Sequence, residues 1–279
     1  MDDCIKDRNS WRLWFENQAT FVSGKEKLWY ERILWEDVVA PLLIGKQDIS
    51  TKELGPYLER LRRGEPLAYV SGRTYFYGIP FQVGPGVLIP RPETEELVAW
   101  ILEDHSGERL SVLDIGSGSG VIPIVLKKKR PDWKVYAMEN SLEAIRIAEK
   151  NGQLNQVPIE WIHEDLFATE ALRQIPKMDL IVSNPPYIRD SERQNMSTST
   201  LNFEPEEALF VRDHDPLLYY REILKVADAM EASCLYLELN EFLTEIYQEW
   251  VAEQYGWTAL FRSDLQGKTR MLRLQKATA

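Results

Sequence analysis

The stretch from Ser111 to Leu126 constrains the fold of this chain more than any other segment. Residues 111–115 form a short apolar run typical of a buried strand, the turn Gly116-Ser117-Gly118-Ser119-Gly120 follows, and an apolar helical pattern comes next. The glycines let a ligand approach the backbone at a helix N-terminus, where free N–H groups point outward. The spacing G-x-G-x-G departs from the dinucleotide pattern G-x-G-x-x-G, so the turn favours a nucleoside cofactor without phosphates.

Two further apolar runs carry an acidic residue after their last positions. Residues 133–138 predict a second strand that leads to Glu139, about 20 residues past the glycine turn, where a carboxylate can bind both ribose hydroxyls. Residues 159–162 predict a third strand that leads to Asp165, which is placed for the exocyclic amine of an adenine. The two acids therefore extend the prediction of a nucleoside site.

A fourth strand is predicted over residues 178–183 and delivers Asn184. Ligands of an open parallel sheet bind beyond the carboxyl ends of its strands, so the four loops are expected to meet at one cleft. The rim of this cleft is predicted to carry Gly116, Glu139, Asp165 and Asn184.

The tetrapeptide Asn184-Pro185-Pro186-Tyr187 indicates the chemistry at that rim. The prolines stiffen the loop and carry no N–H, so the Pro185 carbonyl and the Asn184 side-chain oxygen can accept both hydrogens of an amide or amino group. Tyr187 can cover one face of that planar group. An Asn-Pro-Pro stretch can also be a surface turn that ends a strand. Together with the rim, however, the tetrapeptide favours an S-adenosylmethionine-dependent methyltransferase that acts on nitrogen.

Several blocks of this chain resemble the protein-(glutamine-N5) methyltransferases that modify peptide chain release factors. The resemblance runs from roughly Leu61 to Leu274. Many nitrogen methyltransferases share the tetrapeptide, whereas the block Ile89-Pro90-Arg91-Pro92-Glu93-Thr94 is nearly private to this family. The other matching blocks are residues 64–69, 76–78, 203–209 and 264–270.

The resemblance implies a methyl acceptor, a donor and a set of site residues. The acceptor is the glutamine side chain of a Gly-Gly-Gln motif in a release factor, and the donor is S-adenosyl-L-methionine. The implied catalytic residues are Asn184, Pro185 and Tyr187, and the implied substrate-binding residues are Asn184, Pro185, Pro186 and Tyr187. The implied cofactor-binding residues are Asp114, Gly116, Ser117, Gly118, Ser119, Gly120, Glu139, Asp165, Leu166 and Asn184.

This chain departs from the family pattern at two of these positions. The family most often has Asp where this chain has Glu139, which is one methylene longer but keeps both acceptor oxygens. Relatives often have an aromatic residue where this chain has Leu166.

The fold class predicted is α/β, with a seven-stranded Rossmann-like S-adenosylmethionine-dependent methyltransferase domain. Residues 1–73 are expected to form an N-terminal helical substrate-recognition domain, in which Ser50 and Glu53 make a capping-box pattern and Gly64 ends a helix. Residues 74–90 are expected to form a β-hairpin linker, and residues 91–279 the methyltransferase domain.

Charge and composition limit the partners. The net charge is −11, and residues 74–279 carry the whole excess, because residues 1–73 have equal numbers of acids and bases. An acidic catalytic domain repels phosphate backbones and suits a partner with a basic surface, so no direct nucleic-acid substrate is expected.

Cys4 and Cys234 lack metal-ligand spacing, and no metal is expected. No apolar run approaches the roughly 20 residues of a membrane span, so a cytoplasmic monomer without a membrane partner is expected.

Two alternatives remain open from the sequence. An N6-adenine nucleic-acid methyltransferase uses the same kind of loop to hold an exocyclic amine, but it would need a basic groove. A non-catalytic adaptor that retains the fold is the other alternative, and the departures at Glu139 and Leu166 motivate it.

Overall fold

The computed structural model describes residues 4–168 and 175–277. The α-helices are α1 (Arg8–Gln18), α2 (Gly24–Leu34), α3 (Ala40–Leu43), α4 (Thr51–Arg62), α5 (Leu67–Ser71), α6 (Pro92–Asp104), α7 (Val121–Lys129), α8 (Leu142–Asn155), α9 (Thr198–Phe203), α10 (Leu218–Ala229) and α11 (Thr244–Ala252). The strands are β1 (Cys4–Ile5), β2 (Ile49–Ser50), β3 (Arg73–Phe76), β4 (Ile79–Gln82), β5 (Ser111–Ile115), β6 (Lys134–Glu139), β7 (Glu160–His163), β8 (Leu180–Ser183), β9 (Ile188–Arg189), β10 (Phe210–Val211), β11 (Cys234–Glu238), β12 (Trp257–Ser263) and β13 (Thr269–Lys276).

The chain divides into two compact units. The first comprises Met1–Thr74, Val83–Pro85 and Ser197–Phe203, and the second comprises Tyr75–Gln82, Gly86–Met196 and Glu204–Ala279. The short helix α9, far along the sequence, is therefore part of the first unit.

The first unit is a set of helices around its own apolar core. Trp11 and Phe15 of α1 are fully buried in this core with leucines from α4. The predicted capping box at the start of α4 is confirmed, because Ser50 Oγ accepts from the Lys52 N–H at 3.3 Å and Glu53 Oε1 accepts from the Ser50 N–H at 3.3 Å. These bonds satisfy N–H groups that a helix start leaves unpaired.

Helix α1 was not predicted from the sequence, although a local signal marks its start. Asp7 Oδ1 accepts from the Ser10 N–H at 2.8 Å, and Ser10 Oγ accepts from the Asp7 N–H at 3.0 Å. An aspartate followed three residues later by a hydroxyl residue is a recognisable N-terminal cap.

Apolar residues at helical spacing predict one helix from Lys25 to about Leu43, but the structure interrupts it. A π turn over Trp35–Val39 separates α2 from α3, and in it the Ala40 N–H bonds to the Trp35 carbonyl. Pro41 has no N–H to continue an α-helical ladder at this point, which gives a reason for the wider turn.

The second unit contains the predicted seven-stranded sheet, with strand order β12-β13-β11-β8-β5-β6-β7. Neighbours from β7 to β11 run parallel, whereas β13 pairs antiparallel with both β11 and β12. Successive residues of the central strands contribute to two separate apolar clusters, as Val112 and Leu113 of β5 do. Helices α6 and α7 contribute to one cluster and α10 and α11 to the other, so the parallel strands are buried on both faces.

Two smaller features were also predicted. Strands β3 and β4 form a two-stranded sheet, and Tyr77 and Gly78 between them have φ values of 53° and 75°, as a tight hairpin turn requires. Residues 189–200 are polar and rich in Ser, Thr and Asn, which predicts a mobile flap over the substrate site. In the structure they contain a 3₁₀ helix over Asp190–Asn195 and the start of α9. Their mobility stays a prediction. Within the described residues, no helix has the length and apolar character needed to cross a bilayer.

Candidate active site

A cavity of about 640 Å³ lies at the carboxyl ends of the parallel strands in the second unit. The loops after β5, β6, β7 and β8 all contribute to its wall, as the topology of an open parallel sheet requires. The predicted site residues that line it are Gly116, Ser117, Gly118, Ser119, Glu139, Asp165, Leu166, Asn184, Pro185 and Pro186. Asp114, Gly120 and Tyr187 are not part of the wall, so their predicted contacts with ligands stay predictions.

The glycine turn is held in a backbone conformation that suits glycine. Gly118 has φ 52° and Gly120 has φ 80°, both in the left-handed region. A Cβ added at Gly118 would meet nothing within 4 Å, whereas one at Gly120 would lie 2.8 Å from Trp161 Cη2. Gly118 thus keeps the backbone open to the cavity, and Gly120 lets the N-terminus of α7 pack close to β7.

Glu139 organises the loops on both sides of it. Its Oε2 accepts from the Gly118 N–H at 2.9 Å, and its Oε1 accepts from the N–H groups of Asn140 and Ser141 at 3.0 Å each. These bonds occupy both lone pairs of Oε1 and one of Oε2, so Oε2 can accept one further hydrogen, such as that of a hydroxyl group, while Glu139 holds the glycine turn.

Two buried groups beside the cavity have no hydrogen-bond partner among the described residues. They are both oxygens of Asp114, which is fully buried, and the hydroxyl of Ser117. Burial first, and then the negative charge of Glu139, raise the pKa of Asp114 well above its ordinary value. Buried polar groups are normally paired, so the unpaired hydroxyl of Ser117, which lines the cavity, fits a ligand that brings a hydrogen-bonding partner.

Asp165 and its neighbours form another part of the wall. Asp165 Oδ1 accepts from the Phe167 N–H at 2.9 Å, which orients the carboxylate. Phe167 also lines the cavity and packs edge-on against Tyr219 with ring centroids 5.6 Å apart. Neither Phe167 nor Tyr219 was predicted from the sequence to line the site. Phe167 stands next to the position where relatives often carry an aromatic residue, whereas Tyr219 comes from α10 and has no local signal.

The Asn184 loop presents two unused acceptors. Asn184 Nδ2 donates to Thr94 Oγ1 at 3.2 Å. No described residue donates a hydrogen bond to Asn184 Oδ1 or to the Pro185 carbonyl oxygen. Both residues line the cavity, so the arrangement can accept the two hydrogens of a planar NH2 group.

Tyr187 is anchored behind this loop. Its hydroxyl donates to Glu238 Oε1 at 2.9 Å, and its carbonyl oxygen accepts from Asn240 Nδ2 at 3.0 Å. Burial, followed by the charge of Glu238, raises the pKa of Tyr187 well above its ordinary value, so the hydroxyl keeps its proton. The sequence predicted a covering role for Tyr187 but gave no indication of this partner.

The Leu88 to Thr94 block forms the wall next to the Asn184 loop. Arg91 donates to Glu204 Oε1 at 2.7 Å, and Glu204 Oε2 accepts from the Ile89 N–H at 3.0 Å. Glu204 is buried and begins the segment that places Pro205 and Glu206 on the cavity. Two of the blocks that carry the family resemblance therefore meet at this site through an ion pair whose carboxylate is buried and whose guanidinium is partly exposed.

Comparisons with known proteins show which family this chain is similar to. A family model described as the methyltransferase small domain matches residues 94–210. The chain is 41% identical over 224 residues to the release factor glutamine methyltransferase of Flavobacterium psychrophilum, which covers 78% of each chain. It is 32% identical over 277 residues to the release factor glutamine methyltransferase of Lactococcus lactis. That match covers 93% of this chain and 98% of the other.

The sheet also has counterparts among solved structures. The T. thermophilus 16S rRNA N2 G1207 methyltransferase, in complex with AdoMet and guanosine, matches with a TM-score of 0.54 at 21% identity. The match covers 74% of this chain and 50% of that one. At this identity the likeness concerns the fold, and it confirms the predicted methyltransferase sheet.

Proposed function

Because this chain belongs to the release factor glutamine methyltransferase family, we propose that it methylates the side-chain amide nitrogen, N5, of the glutamine in the Gly-Gly-Gln motif of peptide chain release factors. S-adenosyl-L-methionine is the methyl donor. The observation that carries the proposal is the pair of unused acceptors, Asn184 Oδ1 and the Pro185 carbonyl, on the wall of the cavity.

The residues around the glycine turn fit this donor. Glu139 would accept hydrogen bonds from the ribose, Asp165 from the adenine amine, and the backbone of the glycine turn would pass under the methionine part. The unpaired hydroxyl of Ser117, which lines the cavity, supports the assignment, since buried polar groups are normally paired. When bound, S-adenosylmethionine supplies a methyl group activated by a sulfonium charge.

The Asn184 loop would hold the acceptor. Asn184 Oδ1 and the Pro185 carbonyl accept the two amide hydrogens, which fixes the plane of the glutamine amide and turns its nitrogen toward the methyl carbon. Pro186 keeps the loop stiff, and Tyr187 closes it from behind. The N–C bond forms as the S–C bond breaks, and the amide then loses one proton to water or through the Pro185 carbonyl.

This chemistry does not require a strong base. A carboxamide nitrogen is barely basic, and attack on a sulfonium carbon can precede loss of the proton. Orientation of the two reactants contributes on the order of 7–11 kcal/mol in well-aligned reactions. The residues of the loop therefore act mainly by positioning.

The first unit would bind the release factor. Residues 1–73 form the proposed recognition domain, and residues 74–90 the proposed linker. Helix α2 exposes Leu28 and Trp29, whose side chains are 68% and 51% accessible, which supports a protein-binding role. We further propose that the protein acts as a monomer in the cytoplasm. Neither nucleic-acid methylation nor an adaptor role is favoured, because the relatives are named for release factor methylation.

Transfer of tritiated methyl from S-adenosylmethionine to a release factor tests the function. The matched control is the same release factor with Ala in place of Gln in its Gly-Gly-Gln motif. We expect label on the Gln form alone. Label on neither protein, while a curated relative labels the Gln form in parallel, would refute the proposed function, and label on duplex DNA or RNA instead would revive the nucleic-acid alternative.

A further inference from the structure

Glu238 is a fully buried carboxylate at the end of β11 that the chemistry above does not use. Its Oε2 accepts from the Thr94 hydroxyl at 2.7 Å, and its Oε1 accepts from the Tyr187 hydroxyl at 2.9 Å. Thr94 is itself buried, in the first turn of α6. A buried carboxylate is costly unless it is paired, so its retention beside the loop needs a reason.

The hydrogen-bond donors near Glu238 fix the direction of a chain of bonds. Burial raises the pKa of Glu238, and the hydrogen bonds from Thr94 and Tyr187 oppose that rise by stabilising the ionised form. An ionised carboxylate can only accept, so in this form the single hydroxyl hydrogen of Thr94 is committed to Glu238. The Thr94 oxygen can then only accept from its other neighbour, the Asn184 side chain 3.2 Å away. The group of Asn184 that faces Thr94 must therefore be its NH2.

The opposite orientation of the Asn184 carboxamide is disfavoured for the same reason. It would place the Asn184 oxygen against the Thr94 oxygen with no hydrogen between them, and would direct an NH2 group toward the cavity. Two donors would then face each other when an amide NH2 of a substrate arrives. A reversed carboxamide would thus reject the acceptor that the loop is proposed to hold.

The second carboxylate oxygen of Glu238, Oε1, anchors the Tyr187 end of the loop. The Tyr187 hydroxyl bonds to Glu238, and the Tyr187 carbonyl bonds to Asn240, two residues after Glu238 in the chain. The Tyr220 hydroxyl in turn donates to the Glu238 carbonyl at 3.0 Å, which fixes the end of β11. One buried carboxylate is therefore tied to both ends of the tetrapeptide from Asn184 to Tyr187.

We propose that Glu238 is a positioning residue that, through the Thr94 hydroxyl, sets which end of the Asn184 carboxamide faces the substrate. It thereby makes the loop selective for acceptors that present an NH2 group. This inference rests on the proposed function and adds to it a residue outside the cavity wall. It assigns the specificity of the loop to hydrogen bonds between three side chains, which come from α6, the loop after β8, and β11.

Substitution of Glu238 by Gln should reverse the direction of the hydrogen bonds from Glu238 through Thr94 to Asn184, while it leaves the side-chain volume nearly unchanged. The Gln amide can donate to the Thr94 oxygen, which frees the Thr94 hydrogen to donate to Asn184 Oδ1 and turns the Asn184 NH2 into the cavity. We expect kcat/KM for the release factor to fall roughly 10- to 100-fold, the range for leaving buried polar groups mispaired. The Kd for S-adenosylmethionine should stay unchanged, and the melting temperature should not fall.

Thr94 provides a matched pair of variants. Thr94→Val keeps the shape of the side chain but removes the hydroxyl, so it should lower kcat/KM to a similar extent as Glu238→Gln. Thr94→Ser keeps the hydroxyl and should retain most of the wild-type kcat/KM. Asp104→Asn is the control carboxylate variant: it also alters the acceptor of a tyrosine hydroxyl, that of Tyr236, but lies at the far end of α6. Its methyl transfer should match the wild type.

A measurement independent of activity completes the test. In protein labelled with ¹⁵N at asparagine, the side-chain NH2 signals of Asn184, assigned by their loss in Asn184→Ala, should report a hydrogen bond in the wild type and in Thr94→Ser. They should shift toward free-amide positions in Thr94→Val. Unchanged signals in Thr94→Val, or kcat/KM within about twofold of the wild type in both Glu238→Gln and Thr94→Val, would overturn the inference. An inactive wild type with the expected shifts would instead refute the proposed function alone.

Discussion

At the scale of single residues, the site depends on which hydrogen-bonding groups are left unused. No described residue donates a hydrogen bond to the two acceptors of the Asn184 loop, and none donates to the buried oxygens of Asp114. The first set faces the proposed substrate, and the second lies beside the proposed donor site. Substitutions at the two places should therefore affect different steps.

Asn184→Ala should lower kcat far more than it weakens donor binding. It removes one of two acceptors for the substrate amide, and loss of a preorganised hydrogen-bonding group of this kind costs on the order of a hundredfold in kcat. Steady-state kinetics with release factor, together with calorimetry of S-adenosylmethionine binding, check this. Equal losses in kcat and in donor affinity would contradict the assignment of Asn184 to the substrate.

Asp114→Asn should change the pH dependence of stability in the ligand-free protein. Burial and Glu139 raise the pKa of Asp114 in the folded state, so the native state binds more protons than the unfolded state between the ordinary and the raised pKa. The free energy of unfolding therefore contains a contribution that decreases as pH rises through that window. In Asp114→Asn this contribution is absent, and the variant should become more stable relative to the wild type as pH rises.

Urea unfolding between about pH 5 and pH 8 measures this difference. Ser117→Ala is the matched control, because it removes the neighbouring unpaired hydroxyl without removing a charge. Its difference from the wild type should be constant with pH. A constant difference for Asp114→Asn as well would show that Asp114 does not titrate in this range.

At the scale of elements, the glycine turn combines two different requirements. Gly118 and Gly120 both have positive φ, but only Gly120 has a close neighbour, the Trp161 ring of β7. Gly118 thus leaves the backbone accessible from the cavity, and Gly120 allows α7 to pack closely on the sheet.

Gly120→Ala should destabilise the protein more than Gly118→Ala. Both variants force an L residue into the left-handed region at about 1–2 kcal/mol. Gly120→Ala adds overpacking against Trp161, typically 1–3 kcal/mol. Chemical denaturation compares the two, and equal losses of stability would show that the Trp161 ring moves aside without cost.

At the scale of the whole molecule, the charge distribution predicts how the partner is recognised. Residues 74–279 carry 32 acidic and 21 basic side chains, whereas residues 1–73 are balanced. A catalytic unit with this excess attracts a basic protein surface, and exposed charges are screened beyond about 8 Å at physiological ionic strength.

The KM for the release factor should therefore rise with ionic strength while kcat changes little. A short Gly-Gly-Gln peptide without basic residues is the control, and its KM should be nearly independent of salt. Measurement of both substrates across a range of sodium chloride concentrations checks this. A salt-independent KM for the release factor would mean that apolar contacts, such as those offered by Leu28 and Trp29, dominate recognition.

The sequence alone determined the architecture of the second unit and the general position of its site. Strand β5 was predicted with the bounds that the structure has, and the loops at Gly116, Glu139, Asp165 and Asn184 were predicted to meet. These predictions succeed because strand periodicity, glycine turns and caps are encoded by neighbouring residues. The parallel order of the strands then places their carboxyl ends together.

Only the tertiary structure decided which side chains pair behind the site. Thr94 and Glu238 are 144 residues apart in the sequence, and Asn184 and Thr94 are 90 apart, yet they form one chain of hydrogen bonds. The contact of Gly120 with Trp161 and the hydrogen bond of Tyr187 to Glu238 also join residues that are far apart in the sequence, by 41 and 51 positions. Such pairs depend on the packing of α6 and β11 beside β8, and no local pattern specifies the direction in which a buried side chain will point.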